Sequence, residues 1–153
     1  MNLELKVVGD EILRKVCDPL TIKEICSEEV KSLMNTMFSV LSENNGIGLA
    51  ANQLGVSKKF IVICLNKQTY IAVANPEIIS AKNWKFGIEG CLSVPGNKYT
   101  VGRAREIEVK FVNLNGEEKQ TIILDEELAR IVQHEIDHLN GILICDIGEL
   151  IKE

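Results

Sequence analysis

The stretch Gln133-His134-Glu135-Ile136-Asp137-His138 constrains this chain more than any other. It has the form His-Glu-x-x-His, and in a helix with 3.6 residues per turn its two histidines lie one turn apart on the same face. Two imidazoles at that spacing can bind one metal ion, and Glu135 lies beside them within reach of a metal-bound water. The chain has only these two histidines, which favours a site. The same spacing also occurs on helices whose histidines bind nothing, so further ligands must decide.

A catalytic metal site needs three protein ligands and one open position. Glu, Asp and Cys are all suitable as the third ligand. The acidic residues after His138 do not follow the spacing of the zinc endopeptidases; they are Asp146, Glu149 and Glu153. Cys91, which precedes the histidines in the chain, is the alternative.

The charge balance and the N-terminal sequence bear on partners and location. A net charge of −5 argues against direct nucleic-acid binding, which needs clustered Lys and Arg. No apolar run approaches the roughly 18 residues of a membrane span, and no secretory signal is visible at the N-terminus. The five cysteines are irregularly spaced, as in reduced proteins. We therefore expect a cytoplasmic protein that does not bind membranes.

Two helices are predicted from apolar residues at three- and four-residue steps. The first runs over about 28–42, with Ser27 as its N-cap, and Asn44-Asn45-Gly46 ends it. The second begins after Asp125, carries the His-Glu-x-x-His stretch, and ends at Asn140-Gly141. Apolar residues surround much of this second helix, so we expect it to be largely buried.

Several short strands are predicted from alternation and β-branched residues. They cover about 59–65, 70–74, 77–80, 106–112, 119–124 and 142–145, with Asn115-Gly116 as a hairpin turn. Pro76 is expected to break the pairing, and 89–96 is expected to be a polar, glycine-bounded segment. The fold class is therefore α+β: small, mostly antiparallel sheets around a buried C-terminal helix, in a single domain over 1–153.

Three motifs in order resemble the signatures of the peptide deformylases. They are Gly46-Ile47-Gly48-Leu49-Ala50-Ala51-Asn52-Gln53, Glu89-Gly90-Cys91-Leu92-Ser93, and the stretch from Gln133 to His138. The similarity extends over nearly the whole chain, with similar spacing between the motifs.

This resemblance implies a metallohydrolase that removes the N-formyl group from N-formylmethionyl nascent peptides. Its metal ligands would be Cys91, His134 and His138, and its metal Fe²⁺, which nickel, cobalt or zinc can replace. Bound metal lowers the pKa of a water to about 7, and the resulting hydroxide would attack the formyl carbon. Glu135 would act as general acid and base, while the Gln53 amide and the Leu92 backbone N–H would stabilise the oxyanion.

The resemblance also implies a substrate pocket and supporting residues. A narrow pocket around Gly46, Gly48 and Cys91 would admit a formyl group and exclude larger acyl groups. Ile47 would also bind the substrate, and Ile131 would line an apolar pocket for methionine. Arg103 and Asp137 are either a pair that orients the site or an ordinary surface ion pair. Association with the ribosome is an expectation drawn from the substrate.

Two other classes of protein share part of this pattern. A zinc endopeptidase would have the His-Glu-x-x-His helix but would not need Cys91 or Gln53. A non-catalytic metal-binding domain would keep the ligands but would need neither Glu135 nor Gln53. The chain contains all of these residues.

Overall fold

In the computed structural model, which describes residues 3–152, six strands form one antiparallel sheet, accompanied by four α-helices. In chain order these elements are α1 (Ile22–Ile25), α2 (Glu28–Glu43), β1 (Gly48–Ala50), β2 (Phe60–Asn66), β3 (Thr69–Cys91), β4 (Val94–Val112), β5 (Glu118–Ile123), α3 (Glu126–Leu139), α4 (Ile144–Ile147) and β6 (Glu149–Leu150). Short 3₁₀ helices cover Glu11–Arg14 and Ala51–Leu54. The strand order is β1-β2-β3-β4-β5, with β6 also paired to β4. The predicted α+β class is confirmed, but the strands join in one sheet instead of several small ones.

Both long helices lie where the apolar periodicity predicted them. The Ser27 hydroxyl accepts a hydrogen bond from the Val30 N–H and so caps α2. The Asp125 carboxylate accepts one from the Leu128 N–H and caps α3 in the same way. Apolar residues of α3 pack against Ile61 of β2 and Ile107 of β4. This packing holds the His-Glu-x-x-His helix against the sheet and confirms that α3 is largely buried.

β3 and β4 form a longer hairpin than the sequence predicted. The pairing continues past the predicted strands as far as Cys91 opposite Val94, so the polar, glycine-bounded segment 89–96 lies at the closed end of the hairpin. Pro76 does not end β3; the register shifts between Ala74 and Glu77 instead, a place where a strand tolerates a residue without an N–H. The hairpin places the half-buried Cys91 next to its turn, whereas residues 79–86 in the middle of β3 are exposed.

The C-terminal strand predicted over 142–145 is also wrong. Residues Ile144–Ile147 form α4, because the Asp146 carboxylate accepts a hydrogen bond from the Leu143 N–H and favours a helical turn. The strand that follows, β6, is only two residues long. Helix α1 was not predicted, although Thr21 and Glu24 form a capping box at its start.

None of the helices within residues 3–152 combines the length and the apolar character needed to cross a membrane.

Candidate metal centre

Cys91, His134 and His138 come together where the β3–β4 hairpin meets α3. Their ligand atoms all lie within 4.8 Å of one another, so the three residues could hold a metal ion. The Cys91 Sγ lies 3.3 Å from the His138 Nε2. His138 is 1% exposed, and its Nδ1 has no hydrogen-bond partner among the described residues. One thiolate and two imidazoles are donors that suit iron(II), zinc and similar metals.

His134 is oriented by a carboxylate on its other side. Its Nδ1 lies 2.8 Å from the Glu89 Oε1, which leaves Nε2 available as a ligand atom. Burial opposes protonation of His134, but the negative charges of Glu135 and Cys91 and the hydrogen bond to Glu89 raise its pKa to about 10. Burial and the nearby charge of His134 lower the pKa of His138 well below its usual value. The two imidazoles therefore have opposite protonation preferences before a metal binds.

Glu89 accepts hydrogen bonds from three cationic or polar side chains and is the centre of a buried network. Arg103 donates to it from Nε and Nη2, both at 3.0 Å, and Arg130 donates from Nη1 at 2.7 Å. Burial alone would raise the pKa of Glu89, but the hydrogen bonds from His134 and Arg103 outweigh it and lower the pKa to about 2. Arg103 is 4% exposed and also contacts the half-buried Asp137, so its guanidinium does not lie on the surface.

Glu135 is buried beside the ligands without being held by hydrogen bonds. It is 3% exposed, and its Oε1 has no hydrogen-bond partner within residues 3–152. Burial raises its pKa to about 7. A Cβ atom at Gly48 would lie 2.5 Å from the Glu135 Oε2, so glycine at this position makes room for the carboxylate. A nearly neutral pKa and a free oxygen are properties of a group that can exchange a proton.

Gln53 is fixed on the opposite side of the centre by the 3₁₀ helix Ala51–Leu54. Its Oε1 accepts a hydrogen bond from the Ala50 N–H at 2.9 Å, and its Nε2 donates to the Ser93 hydroxyl at 3.0 Å. The same Nε2 lies 3.8 Å from the Cys91 Sγ. The amide is therefore held beside the thiol, with one N–H donated to Ser93 and Nε2 also facing the Cys91 Sγ.

A cleft of about 740 Å³ opens onto these residues. His138 is not among the residues that line it, but nine of the twelve predicted site residues are: Gly46, Ile47, Gly48, Gln53, Cys91, Leu92, Ile131, His134 and Glu135. Arg103 and Asp137 lie instead behind His134, in the network around Glu89. The structure thus brings the three motifs together around one cleft.

Sequence reasoning gave no role to four residues that support this centre. Glu89 and Arg130 belong to the buried network, and Ser93 positions the Gln53 amide. Asn52 donates from Nδ2 to the His138 carbonyl at 2.6 Å and so ties the 3₁₀ helix to α3. Glu89 carried a usable signal, since a metal-binding histidine usually donates its second N–H to a carboxylate or carbonyl.

Comparison with known proteins agrees with the resemblance of the motifs. The polypeptide deformylase family matches residues 2–152. The peptide deformylase of Carboxydothermus hydrogenoformans is 47% identical over 141 residues, which cover 91% of this chain and 88% of that protein. The peptide deformylase of Halothermothrix orenii is 43% identical over 152 residues, 96% of each.

Solved structures match as well. A class I type b peptide deformylase from Acinetobacter baumannii, bound to Met-Ala-Ser, has a TM-score of 0.90 and 34% identity, and the match covers 96% of this chain and 98% of that one. The Thermotoga maritima peptide deformylase has a TM-score of 0.89 and 36% identity, with 96% and 97% covered.

Proposed function

This chain belongs to the polypeptide deformylase family, and we propose that it uses the cleft beside Cys91, His134 and His138 to deformylate nascent peptides. It is a metal-dependent hydrolase that removes the formyl group from N-terminal formyl-methionine. The observation that carries the proposal is the cluster of three ligand atoms within 4.8 Å, with the Glu135 carboxylate beside it in one cleft.

Cys91, His134 and His138 are the proposed ligands, and Fe²⁺ the proposed metal. The thiolate and the two imidazoles form a donor set that fits Fe²⁺, and nickel, cobalt or zinc could replace it. The metal, when bound, supplies Lewis acidity and a water of lowered pKa. The Cys91 thiolate also makes an iron-loaded site sensitive to oxidation.

Glu135 is the proposed general base and acid. Its pKa of about 7 leaves a large part of the carboxylate ionised at neutral pH, and its Oε1 is free to accept a proton. The proton taken from the attacking water can then pass to the departing amine of methionine. The same residue therefore serves both halves of the hydrolysis.

Gln53 and Leu92 are the proposed donors to the oxyanion. The side chain of Gln53 is anchored through Ala50 and Ser93, so its amide needs little reorganisation when charge develops on the formyl oxygen. Leu92 follows Cys91 at the turn of the hairpin and lines the cleft, where its backbone N–H can serve as the second donor.

The substrate contacts follow from the shape of the cleft. Gly46, Ile47 and Gly48 line one side of the cleft, and Gly48 lies against Glu135. The limited space beside these residues suits a formyl group better than a larger acyl group. Ile131 offers an apolar surface for the methionine side chain. Arg103 and Asp137 would act indirectly, because Arg103 holds Glu89 and Glu89 holds His134.

The setting of the reaction is part of the proposal. Formylated peptides emerge during translation, so we propose that this chain works in the cytoplasm and meets its substrate at the ribosome. We also propose that 1–153 forms one catalytic domain, since one sheet and α3 together build the cleft.

The decisive assay compares three peptides with purified, metal-loaded protein. We expect rapid release of formate from formyl-Met-Ala-Ser, and neither cleavage of acetyl-Met-Ala-Ser nor hydrolysis of an internal peptide bond. Cleavage of internal bonds at a rate comparable to deformylation would instead assign the protein to the endopeptidases.

The metal is tested separately. Protein purified without oxygen should contain iron and should lose its activity in air. After nickel has replaced the iron, the activity should persist in air. The substitution Cys91→Ala should abolish metal retention, while Cys64→Ala and Cys145→Ala should not. Full metal content in Cys91→Ala would exclude the thiolate as a ligand, and an air-stable enzyme that is equally active with its as-isolated iron would contradict the predicted decay of activity in air.

A further inference from the structure

The outer part of β3 exposes three large apolar side chains in a row. Trp84 is 67% exposed, Phe86 76% and Ile88 69%. Since side chains two residues apart in a strand project from the same face, the three form one stripe, which we call the β3 stripe. Exposed apolar side chains that lie in a continuous row commonly mark an interaction site.

The β3 stripe runs directly into the active-site cleft. Ile88 belongs to the stripe and also lines the cleft, together with Cys91 and Leu92. Residues 77–91 of β3 pair with β4, whereas the pairing of β3 with β2 covers only residues 69–74. In the described part of the chain, β2 therefore does not lie beside residues 77–91. An extended peptide that leaves the cleft at Ile88 can continue there along Phe86 and Trp84.

The strand beneath the stripe is held firmly to α3. A Cβ atom at Gly87 would lie 2.8 Å from the Cζ of Arg130, so the guanidinium packs on the face of the strand opposite Phe86 and Ile88. Arg130 also donates to the Lys85 carbonyl at 2.8 Å and to Glu89 at 2.7 Å. A surface fixed in this way binds without first paying for its own ordering.

We propose that the β3 stripe binds apolar side chains of the nascent peptide downstream of its first three residues. This inference rests on the proposed function, because it takes the formylated peptide as the occupant of the cleft. The distance from Ile88 to Trp84 is four residue steps, or about 13 Å along a strand. About four further peptide residues in extended conformation would cover it. Substrates that are longer and apolar there should bind more tightly.

The kinetic test uses three peptides: formyl-Met-Ala-Ser, formyl-Met-Ala-Ser-Leu-Val-Phe-Lys and formyl-Met-Ala-Ser-Asn-Thr-Gln-Lys. We expect kcat/KM for the apolar heptapeptide to exceed that for the polar one roughly tenfold, equivalent to about 1.4 kcal/mol. The double substitution Trp84→Ser/Phe86→Ser should reduce this ratio to about one. Because the proposal places the first three residues in the cleft, kcat/KM for the tripeptide should be unchanged in Trp84→Ser/Phe86→Ser. The matched control is Ile122→Ser, since Ile122 is 64% exposed but pairs with Glu108; it should keep the tenfold ratio.

Trp84 provides a second readout that does not depend on turnover. It is the only tryptophan in the chain, so its emission reports on the stripe alone. The deformylated peptide Met-Ala-Ser-Leu-Val-Phe-Lys should shift the emission to shorter wavelength, and Met-Ala-Ser-Asn-Thr-Gln-Lys should not.

Several outcomes would overturn the inference. Equal kcat/KM for the two heptapeptides in the unsubstituted protein would remove the stripe from substrate binding while leaving the deformylase proposal intact. A dimer in sedimentation equilibrium that becomes a monomer in Trp84→Ser/Phe86→Ser would assign the stripe to a second copy of the chain. If none of the three peptides were deformylated, the proposed function itself would fail, and this inference with it.

Discussion

The His134 Nδ1 lies 2.8 Å from the Glu89 Oε1, so a carboxylate on β3 determines which nitrogen of a histidine on α3 can bind a metal. Glu89 is itself held by Arg103 of β4 and Arg130 of α3. Two strands of one hairpin and the helix α3 therefore orient one imidazole together. Hydrogen bonds of this kind fix the tautomer and the ring orientation of a ligand before the metal arrives.

The substitution Glu89→Gln should weaken metal binding. The amide has a similar shape but lacks the negative charge of the carboxylate. Arg103, Arg130 and the His134 N–H donate hydrogen bonds to that carboxylate. We expect the affinity for cobalt or zinc to fall roughly 10- to 100-fold, measured by competition with a chelating dye. Glu118→Gln, at an exposed position on β5, is the control. Unchanged affinity in Glu89→Gln would show that His134 is oriented by other groups.

The metal-free protein should lose stability as the pH rises from 7 to 10. The pKa of His134 is about 10 in the folded protein, against about 6.5 for a histidine in the unfolded chain. A raised pKa stabilises the folded state fully below the unfolded value, and this contribution is lost as the pH rises through the folded value. Calorimetry should show that the Tm of the metal-free protein falls over this range. With nickel bound, the share of this fall that comes from deprotonation of His134 should disappear, since coordination needs neutral imidazole.

A substitution at Glu135 can separate this effect from general alkaline unfolding. The negative charge of Glu135 is the strongest influence that raises the pKa of His134. The Tm of metal-free Glu135→Gln should therefore depend less on pH between 7 and 10. A Tm of the unsubstituted metal-free protein that rises over this range would contradict the assigned protonation of His134.

Local sequence patterns predicted the helices well and the hairpin only in part. The caps of α2 and α3 and their apolar steps are properties of neighbouring residues, so both helices begin as predicted. The outer hairpin depends on pairing between residues such as Phe86 and Gly102, which are distant in the sequence. The alternation of Trp84, Phe86 and Ile88 was a strand signal. It lies among exposed lysines and glycines, and this composition is more typical of a loop.

The site residues that lie within a motif could be predicted from the sequence. The contacts between one motif and another could not. The sequence named Cys91 and both histidines, and the structure brings them within reach of one ion. It did not reveal that Arg103 meets Glu89, because that contact requires β4 to lie beside β3 with α3 above them. Arg103 is buried and so does not form an ordinary surface ion pair. Its burial depends on the whole fold and could not be predicted from neighbouring residues.

The substitution Gly48→Ala should impair turnover while leaving the metal ligands intact. The added methyl group would lie 2.5 Å from the Glu135 Oε2 and 3.0 Å from the Ile131 Cγ2, so the carboxylate must move. A displacement of about 1 Å at a reacting group can cost roughly 100-fold in rate. We expect a loss of kcat of that order on formyl-Met-Ala-Ser, with normal metal content by elemental analysis.

Gly102→Ala is a suitable comparison for Gly48→Ala. It also adds a methyl group within a strand, but its nearest neighbour is the exposed ring of Phe86, 3.3 Å away. This variant should deformylate formyl-Met-Ala-Ser normally. If Gly48→Ala were equally active, the space beside Glu135 would not be needed for catalysis.

The substitution Glu135→Gln tests the general base directly. Glutamine preserves the size of the side chain and one oxygen, but it cannot accept the proton of the attacking water. The fold and the metal content should survive, because Glu135 lies outside the cluster of Cys91, His134 and His138. Turnover should fall by roughly 10² to 10⁴, the usual contribution of a positioned acid–base group.

If Glu135 had a purely structural role, Glu135→Gln would lose stability but keep its turnover in the folded fraction. The Oε1 of this buried carboxylate has no hydrogen-bond partner in the described part of the chain, and burial raises its pKa to about 7. A neutral amide at such a position should be tolerated at least as well as the carboxylate, since burial outweighs the attraction of His134 and Arg103 and favours the neutral form. We therefore expect Glu135→Gln to unfold at a similar or higher temperature than the unsubstituted protein while being nearly inactive. Metal-loaded, folded Glu135→Gln with near-normal turnover would remove Glu135 from the mechanism.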